Sequence, residues 1–340
     1  MSILKTLTTG TLAVLAMAST LSAKDFSGAE LYTNEEYTYG KFEARMKMAA
    51  ASGTVSSMFL YQNGSEQASA QRWVEVDIEV LGKNPNSFQS NIITGKAGAQ
   101  VTSEKHHSVS PAADQGFHTY GLEWTPDYVS WTLDGKEVRR TKKGDNKNQV
   151  ENLIGTQGLR FNIWSSESAE WVGNFDESKL PLFQFINWVK VYKYTPGRGE
   201  NGSDFTLDWT DNFDSFDSGR WSKGNWTFDG NRVDLTPNNI YSKDGMLILA
   251  LTRKGQEYFN GQVPQDNEPA PVSSSSVTPP PESSSSSEPF IPPMSSSSEP
   301  ITAIQQVRTP QMQPKEVRGI VNAKGAHVKE INRYRVNFKY

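Results

Sequence analysis

The sequence predicts an all-β fold for residues 24–263, in which two curved antiparallel sheets pack as a jelly-roll sandwich. Residues 41–48, 128–133 and 188–194 alternate polar and apolar side chains, the pattern of strands with one buried face. Asp134-Gly135 follows the second of these segments as a hairpin turn. No long stretch carries the 3.6-residue period of a helix. Many short strands in one domain of this size favour a sandwich over other β architectures.

Four segments of the chain differ in composition. Residues 1–23 are typical of a secretory signal, with Lys5, a short apolar run and small-residue cleavage sites, so we expect a secreted protein. Residues 24–263 hold all nine Trp and form the predicted catalytic domain. Residues 264–300 contain 13 Ser and 10 Pro and are expected to be a disordered linker. Residues 301–340 carry eight Lys or Arg against two acids.

This basic C-terminal segment has two interpretations. It could bind a cell surface or a sorting partner, or it could be a solvated tail without a partner. The whole chain has 34 Lys and Arg, 38 Asp and Glu, a net charge of −4 and no cysteine. These counts exclude disulfides and cysteine-based zinc sites and give no global attraction for nucleic acid. We therefore expect no nucleic-acid partner. The one apolar run, near the start of the chain, is too short to cross a membrane, so no membrane span is expected. We also expect a monomer.

The most informative segment is residues 73–80, in which polar or aromatic side chains alternate strictly with aliphatic ones. The aliphatic side chains share one face: Val74, Val76, Ile78 and Val80. Three acids, Glu75, Asp77 and Glu79, share the other face. Adjacent like charges are costly, and a sheet built only for stability would avoid them. Glycoside hydrolysis needs a pair of carboxylates, whereas an exposed acidic strand and a calcium site remain the alternatives.

The W-x-E-x-D-x-E pattern of residues 73–79 resembles the signature of glycoside hydrolase family 16, and more narrowly that of the bacterial lichenases. Residues 39–47, 117–124 and 161–164 are similar to other strands of that family. The resemblance implies a concanavalin-like fold and a retaining endo-hydrolysis of mixed-linkage 1,3-1,4-β-D-glucan. The 1,3-β-glucanases of the family tend to carry one extra residue between the Asp and the second Glu. Its absence here favours mixed-linkage glucan.

The order of the segments departs from that of the lichenases. Residues 207–251 resemble the segment that normally opens a lichenase, but here they follow Tyr194, which matches the usual end. The resemblance therefore implies a circularly permuted domain with a new joint at residues 195–203. Such a permutation is physically reasonable because the termini of a domain are often neighbours at its surface.

The resemblance also implies roles for single residues. Glu75 would be the nucleophile, Glu79 the general acid/base and Asp77 their hydrogen-bonding assistant, although the residues alone do not decide which Glu attacks. Substrate-binding candidates are the aromatic, amide and acidic side chains at matching positions: Glu30, Phe59, Tyr61, Asn63, Glu66, Trp73, Gln89, Asn91, Asn162 and Trp164, with Trp171 and Trp226 as weaker candidates. One structural calcium ion is implied at Asn187, Asn212 and Gly245, and no cofactor is expected for catalysis.

Two other functions remain open from the sequence. One lies in the same family, a 1,3-β-glucanase or a xyloglucan-acting enzyme. The other is a non-catalytic lectin-like module, because sugar-binding lectins share the sandwich. A lectin needs aromatic platforms but has no need of three acids in a row.

Overall fold

The computed structural model describes residues 23–267. Almost all of the predicted signal, most of the predicted linker and the whole basic segment lie outside the described residues. The strands are β1 (Phe26–Tyr37), β2 (Gly40–Lys47), β3 (Thr54–Tyr61), β4 (Glu75–Leu81), β5 (Ser87–Lys96), β6 (Ala99–Val101), β7 (Lys105–Ser108), β8 (His118–Trp124), β9 (Tyr128–Leu133), β10 (Lys136–Lys142), β11 (Gln157–Ser165), β12 (Leu182–Tyr194), β13 (Phe205–Asp211), β14 (Trp221–Lys223), β15 (Val233–Leu235), β16 (Ile240–Lys243) and β17 (Met246–Arg253). The helices are the four-residue α1 (Gln149–Asn152) and α2 (Ala169–Val172) and three short 3-10 turns at Glu177–Lys179, Glu200–Gly202 and Pro237–Asn239.

The strands form two layers. The first, called the cleft sheet below, has the order β14-β1-β11-β3-β4-β5-β7 and is antiparallel throughout. The second, the outer sheet, has the order β10-β9-β8-β2-β12-β17-β16. The long strand β12 pairs with β17 along its first part and with β13 along its last part. The start of β1 also pairs with β15 and β17, so this strand links the layers. The predicted all-β jelly-roll sandwich is confirmed.

The core lies between the two sheets because each sheet turns one apolar face inward. On β2, Phe42, Ala44 and Met46 are fully buried and alternate with partly exposed polar residues. Several hydrogen bonds cross the core between the two sheets, and two of them come from Gln184 and Trp131 of the outer sheet. Gln184 Nε2 donates to the Ser57 carbonyl at 3.1 Å, and Trp131 Nε1 donates to the Asp77 carbonyl at 2.9 Å. Both bonds end on strands that build the cleft.

The predicted hairpin at Asp134-Gly135 is present between β9 and β10. Both residues have positive φ, 49° and 75°, as a type I′ turn requires. Asp244 and Gly245 join β16 to β17 in the same way, with φ of 51° and 68°. Asp and Gly tolerate the left-handed region better than other residues, so the turn chemistry fixes the register of both hairpins.

The last described segment packs on the outer sheet. The Phe259 ring lies 4.9 Å from that of Phe183, and Asp266 forms an ion pair with Arg45 at 2.9 Å. Asn187 Nδ2 also donates to Asp266 at 2.8 Å. Contacts with the sandwich therefore continue past Val263, the predicted end of the domain. Between residues 23 and 267, no helix has the length and apolar character needed to cross a membrane.

Residues 205–253 supply strands to both layers. Within this segment β13 and β17 pair with β12 of the outer sheet, and β14 pairs with β1 of the cleft sheet. The segment is thus part of the same sandwich as the strands before Tyr194. The circular permutation concerns the order of these strands in relatives and stays a prediction.

Candidate active site

The row of acids lies in the middle of the cleft sheet. β4 pairs with β3 on one side and β5 on the other, so Asp77 lies opposite Phe59 and Asn91. Val76 and Ile78, which alternate with the acids, are fully buried in the core. The period of two in a strand therefore places the Glu75, Asp77 and Glu79 side chains on the opposite face of the sheet. The pairing with β3 runs from Glu75 to Leu81 without a shift of register.

That face forms the floor of a cleft of about 700 Å³. All thirteen residues that the sequence reasoning proposed for catalysis and substrate binding line it: Glu30, Phe59, Tyr61, Asn63, Glu66, Trp73, Glu75, Asp77, Glu79, Gln89, Asn91, Asn162 and Trp164. Trp171 and Trp226, the weaker candidates, line it as well. The chain brings these side chains together from residues 30 to 226, and their individual roles stay predictions.

Glu75 is surrounded by groups that favour its charged form. Trp73 Nε1 donates a hydrogen bond to Glu75 Oε2 at 2.5 Å, and Asp77 forms a second side-chain hydrogen bond. Burial raises the pKa of Glu75 to about 7, while these two bonds and the charge of Arg160 oppose that rise. Glu75 can therefore ionise near neutral pH despite its burial.

Asp77 and Glu79 are in a different environment. Burial raises the pKa of Asp77 well above its ordinary value, and the charges of Glu75 and Glu79 raise it further. Asp77 is therefore the protonated partner that donates to Glu75. Burial also raises the pKa of Glu79 to about 8, with smaller contributions from Glu75 and Glu104. Burial is therefore the main cause of the raised pKa of both glutamates, and the neighbouring acids add to it.

The arrangement pairs an ionisable carboxylate with a protonated one inside an open cleft, which is what displacement at a glycosidic carbon requires. The family model described as Glycosyl hydrolases family 16 matches residues 5–190, more than half of the chain. The chain belongs to glycosyl hydrolase family 16.

Relatives in family 16 cover the chain to different extents. A beta-glucanase of Fibrobacter succinogenes is 72% identical over 355 residues, which span 100% of both chains. A beta-glucanase of Brevibacillus brevis is 35% identical over 179 residues, 52% of this chain and 63% of that protein. A solved lichenase from a mouse hindgut metagenome is 28% identical with a TM-score of 0.40, covering 48% of this chain and 77% of its own.

Arg160 is a cleft residue of this family 16 protein that the sequence reasoning missed. Its Nη1 contacts Glu30 Oε1 at 2.5 Å and its Nη2 donates to Asn63 Oδ1 at 2.5 Å. Its guanidinium also lies 5.0 Å from the Tyr32 ring and 5.2 Å from the Tyr61 ring. Arg160 thus ties β11 to β1 and to the loop after β3. Its partners are 130 and 97 residues away in sequence, so no local pattern could have revealed it.

Aromatic rings form two clusters along the cleft. Tyr61 lies between Phe59 and Trp73, with centroid distances of 6.4 Å and 6.1 Å. Across the cleft, Trp164 contacts Phe228 at 5.0 Å and Trp171 at 5.8 Å. Flat rings of this kind stack on the faces of sugar rings. Phe228 and Tyr32 were not predicted, and Thr102 and Glu104 also join the lining.

Polar atoms in the cleft remain available for sugar hydroxyls. Gln89 Oε1 accepts from Trp171 Nε1 at 3.1 Å, and Asn91 Oδ1 accepts from the Ser103 N–H at 2.9 Å. These bonds orient both amides so that their NH₂ groups can donate elsewhere. Within residues 23–267, Glu66 Oε1 and Arg160 Nε are buried without a hydrogen-bond partner.

The three positions implied for calcium lie on the outer sheet and do not line the cleft. Asn187 lies on β12 between two pairings of that strand. It follows the last pair with β17, Ile186–Leu247, and precedes the first pair with β13, Val189–Asp211. Asn212 directly follows β13, and Gly245 directly precedes β17. A Cβ at Gly245 would lie 4.0 Å from the Asn212 carbonyl oxygen and 3.6 Å from Asp214 Oδ1. The described residues contain no group of three or more His, Cys, Asp or Glu that could hold a metal ion.

Proposed function

We propose that this family 16 β-glucanase cleaves mixed-linkage 1,3-1,4-β-D-glucan internally and with retention of configuration at the anomeric carbon. The observation that carries the proposal is the row Glu75, Asp77 and Glu79 on the floor of an aromatic-lined cleft. The beta-glucanase names of the relatives support the substrate class.

The reaction has two displacements. Glu79 gives its proton to the glycosidic oxygen while a Glu75 carboxylate oxygen attacks the anomeric carbon, which breaks the C–O bond and forms a glycosyl ester. Glu79, now ionised, takes a proton from water, and that water attacks the same carbon and releases Glu75. The raised pKa of Glu79, about 8, supports its role as the acid. The Trp73 and Asp77 hydrogen bonds to Glu75 support its role as the nucleophile.

The regular backbone of β4 supports the mixed-linkage preference. The register to β3 is continuous from Tyr61–Glu75 to Ser57–Glu79, so no bulge separates Asp77 from Glu79. The resemblance to the family associates an extra residue at this place with 1,3-β-glucanases. A bulge would turn the acid/base toward a different part of the cleft and favour another linkage.

Substrate preference is tested with a panel of barley β-glucan, lichenan, laminarin and xyloglucan in a reducing-end assay. We expect the first two to be cut and laminarin and xyloglucan to be cut at least tenfold more slowly. Glu75→Gln should abolish hydrolysis of lichenan while the variant still binds it. Glu43→Gln, on the outer sheet beside Lys41, is the matched control and should keep the wild-type rate. Faster cleavage of laminarin than of lichenan would contradict the mixed-linkage proposal.

We also propose one structural calcium ion held by Asn187 and by backbone carbonyls of Asn212 and Gly245. Oxygen-only donors suit calcium, and a Cβ placed on Gly245 would lie within 4.0 Å of two oxygens, the Asn212 carbonyl and Asp214 Oδ1, which supports the site. Bound calcium would hold β12, β13 and β17 together. Addition of excess EDTA should lower the melting temperature, and calcium should restore it. An unchanged melting temperature after chelation would contradict the proposal.

Export, a monomeric state, the circular permutation and a surface or sorting partner for residues 301–340 complete the proposal. The signal-like composition of residues 1–23 and the basic composition of residues 301–340 support export and a tail partner. Removal of residues 268–340 should leave the hydrolysis of soluble glucan intact, because every residue proposed for catalysis or substrate binding precedes them in the chain. A large loss of rate would show that these residues belong to the catalytic unit.

A further inference from the structure

Arg139 on β10 is a buried cation on the core side of the cleft sheet. Only 5% of its surface is exposed. Its Nη1 donates to the Ser90 carbonyl at 3.0 Å and to Ser90 Oγ at 2.9 Å. Ser90 lies between Gln89 and Asn91, which face the cleft, so its own side chain points into the core. The guanidinium is therefore behind β5, one strand away from the catalytic row.

Three contacts connect Arg139 to groups that shape the cleft. Its Nη2 donates to Ser103 Oγ at 2.8 Å, and the Ser103 N–H in turn donates to Asn91 Oδ1 at 2.9 Å. Its guanidinium stacks 4.2 Å from the ring of Trp131. That indole donates to the Asp77 carbonyl at 2.9 Å. Arg139 thus reaches the backbone of the middle acid and the amide opposite it.

The charge of Arg139 has no direct counter-ion. Among residues 23–267, none of the ion pairs within 4.0 Å involves Arg139. A guanidinium buried in this way is costly, and an apolar side chain would fill the same space at lower cost. Burial lowers the pKa of Arg139 to about 10, so it remains charged at neutral pH. The carboxyl groups that oppose this lowering when they are ionised are those of Glu104 and Asp77, both of which line the cleft.

We propose that Arg139 is a positioning residue for the hydrolysis proposed above, which this inference presupposes. It holds Asp77, Asn91 and the Thr102–Glu104 segment in place through Trp131, Ser90 and Ser103. Its positive charge, applied from the core side of the sheet, favours the state in which Asp77 and Glu75 share one proton and together carry one negative charge. Loss of the charge then disfavours the ionised nucleophile, and loss of the bonds loosens the cleft wall.

The titratable groups around Arg139 define the expected pH effect. The acids whose charge reaches Arg139 are Asp77 on β4, across the sheet, and Glu104 in the segment before β7. His107 on β7 contacts Ser90 Oγ at 2.8 Å, and burial lowers its pKa to about 4, so it is neutral in the working range. The contacts from β9 and from β10 itself are the uncharged Trp131 and Thr141. Removing the cation should therefore shift the acid limb of the kcat/KM profile to higher pH.

The test compares Arg139→Gln, Arg139→Lys and a control across the pH range on lichenan. Arg139→Gln should lower kcat/KM at least about tenfold at pH 6 and move the acid limb up by roughly half a pH unit or more. Arg139→Lys keeps the positive charge but loses the planar set of N–H donors. Its acid limb should therefore lie at the wild-type pH, while its KM should stay above that of the wild type. Arg140→Gln, the next residue on β10, should behave as wild type because Arg140 pairs with Glu137 and Tyr128 at the surface.

Several outcomes would overturn the inference. The inference is wrong if Arg139→Gln folds, keeps kcat/KM within twofold of wild type and leaves the acid limb of its pH profile unmoved. It is also wrong if the acid limb shifts by the same amount in Arg139→Lys as in Arg139→Gln. If both variants fail to fold, Ser103→Ala decides, since it removes the Nη2 acceptor but keeps the N–H to Asn91. A threefold or larger rise in KM supports the inference, and an unchanged KM overturns it. Wild-type inactivity on lichenan would count against the proposed function alone, and the comparison would use the β-glucan that is cut.

Discussion

The hydrogen bond from Trp73 to Glu75 makes a quantitative prediction for Trp73→Phe. The indole nitrogen lies 2.5 Å from Glu75 Oε2, and its N–H stabilises the ionised carboxylate that the proposed first displacement needs. A hydrogen bond to a charged group contributes about 1.5–3 kcal/mol. At 1.36 kcal/mol for each pKa unit, its loss should raise the pKa of Glu75 by about one to two units.

The sign of the effect follows from the role of Glu75. Its pKa is about 7 with the bond in place, so the variant carries a smaller ionised fraction at pH 6. We expect kcat/KM on lichenan to fall about 10-fold to 100-fold at pH 6 and to recover substantially as the pH rises. The acid limb should move upward by the same one to two units, about the size of the pKa shift.

A matched control separates this effect from loss of a sugar platform. Trp171 is also a cleft indole, but its N–H donates to Gln89 at 3.1 Å and not to a catalytic carboxylate. Trp171→Phe should weaken glucan binding while the acid limb stays in place. If Trp73→Phe lowers kcat/KM by the same factor at every pH, the hydrogen bond does not tune Glu75 and the reasoning is refuted.

Three further predictions concern stability and binding. Burial raises the pKa of Glu79 to about 8 from an ordinary 4.5, so the stability of the folded protein falls as the pH rises between those values. Glu79→Gln should therefore raise the free energy of unfolding by on the order of 2 kcal/mol at pH 9 and by little at pH 4, which calorimetry at the two pH values measures. Arg160→Met leaves the buried Glu30 unpaired, which should cost about 3 kcal/mol and raise KM on lichenan; an unchanged KM would place Arg160 outside substrate binding. Asp266→Ala removes its ion pair with Arg45 and should cost about 1–2 kcal/mol in denaturant unfolding with kcat/KM unchanged, whereas a loss of activity would link the outer sheet to the cleft.

Local sequence patterns predicted the features that depend on neighbouring residues alone, namely which face of a strand a side chain occupies and where a tight turn forms. Strict alternation placed Glu75, Asp77 and Glu79 on one face of β4 because side chains in a strand alternate with period two. Asp134-Gly135 predicted a hairpin because both residues accept positive φ. The substrate-binding candidates came from resemblance to a family, and the fold brings all of them to one cleft.

Contacts between distant segments could not be predicted in this way. Arg160 meets Glu30 and Asn63 only after the cleft sheet has formed, and nothing in its own strand marks it. Arg139 stands in a strand with several other cations, and only the packing of β10 under β5 buries it. Asp266 lies in a Pro-containing stretch assigned to the linker, yet it contacts Arg45 and Asn187. The residues alone likewise do not show whether Glu75 or Glu79 attacks, and the hydrogen bonds that support Glu75 as the proposed nucleophile form only in the folded sheet.

The assignment of Glu75 as nucleophile and Glu79 as acid/base is tested most directly by azide rescue of two variants on an activated aryl β-glucan oligosaccharide. Glu75→Ala leaves a space in which azide attacks the anomeric carbon once, so the account predicts an α-glycosyl azide. Glu79→Ala still forms the Glu75 ester, which azide then opens, so the account predicts a β-glycosyl azide. Proton NMR of the products distinguishes the two anomers. A β-azide from Glu75→Ala, or an α-azide from Glu79→Ala, would contradict the assignment.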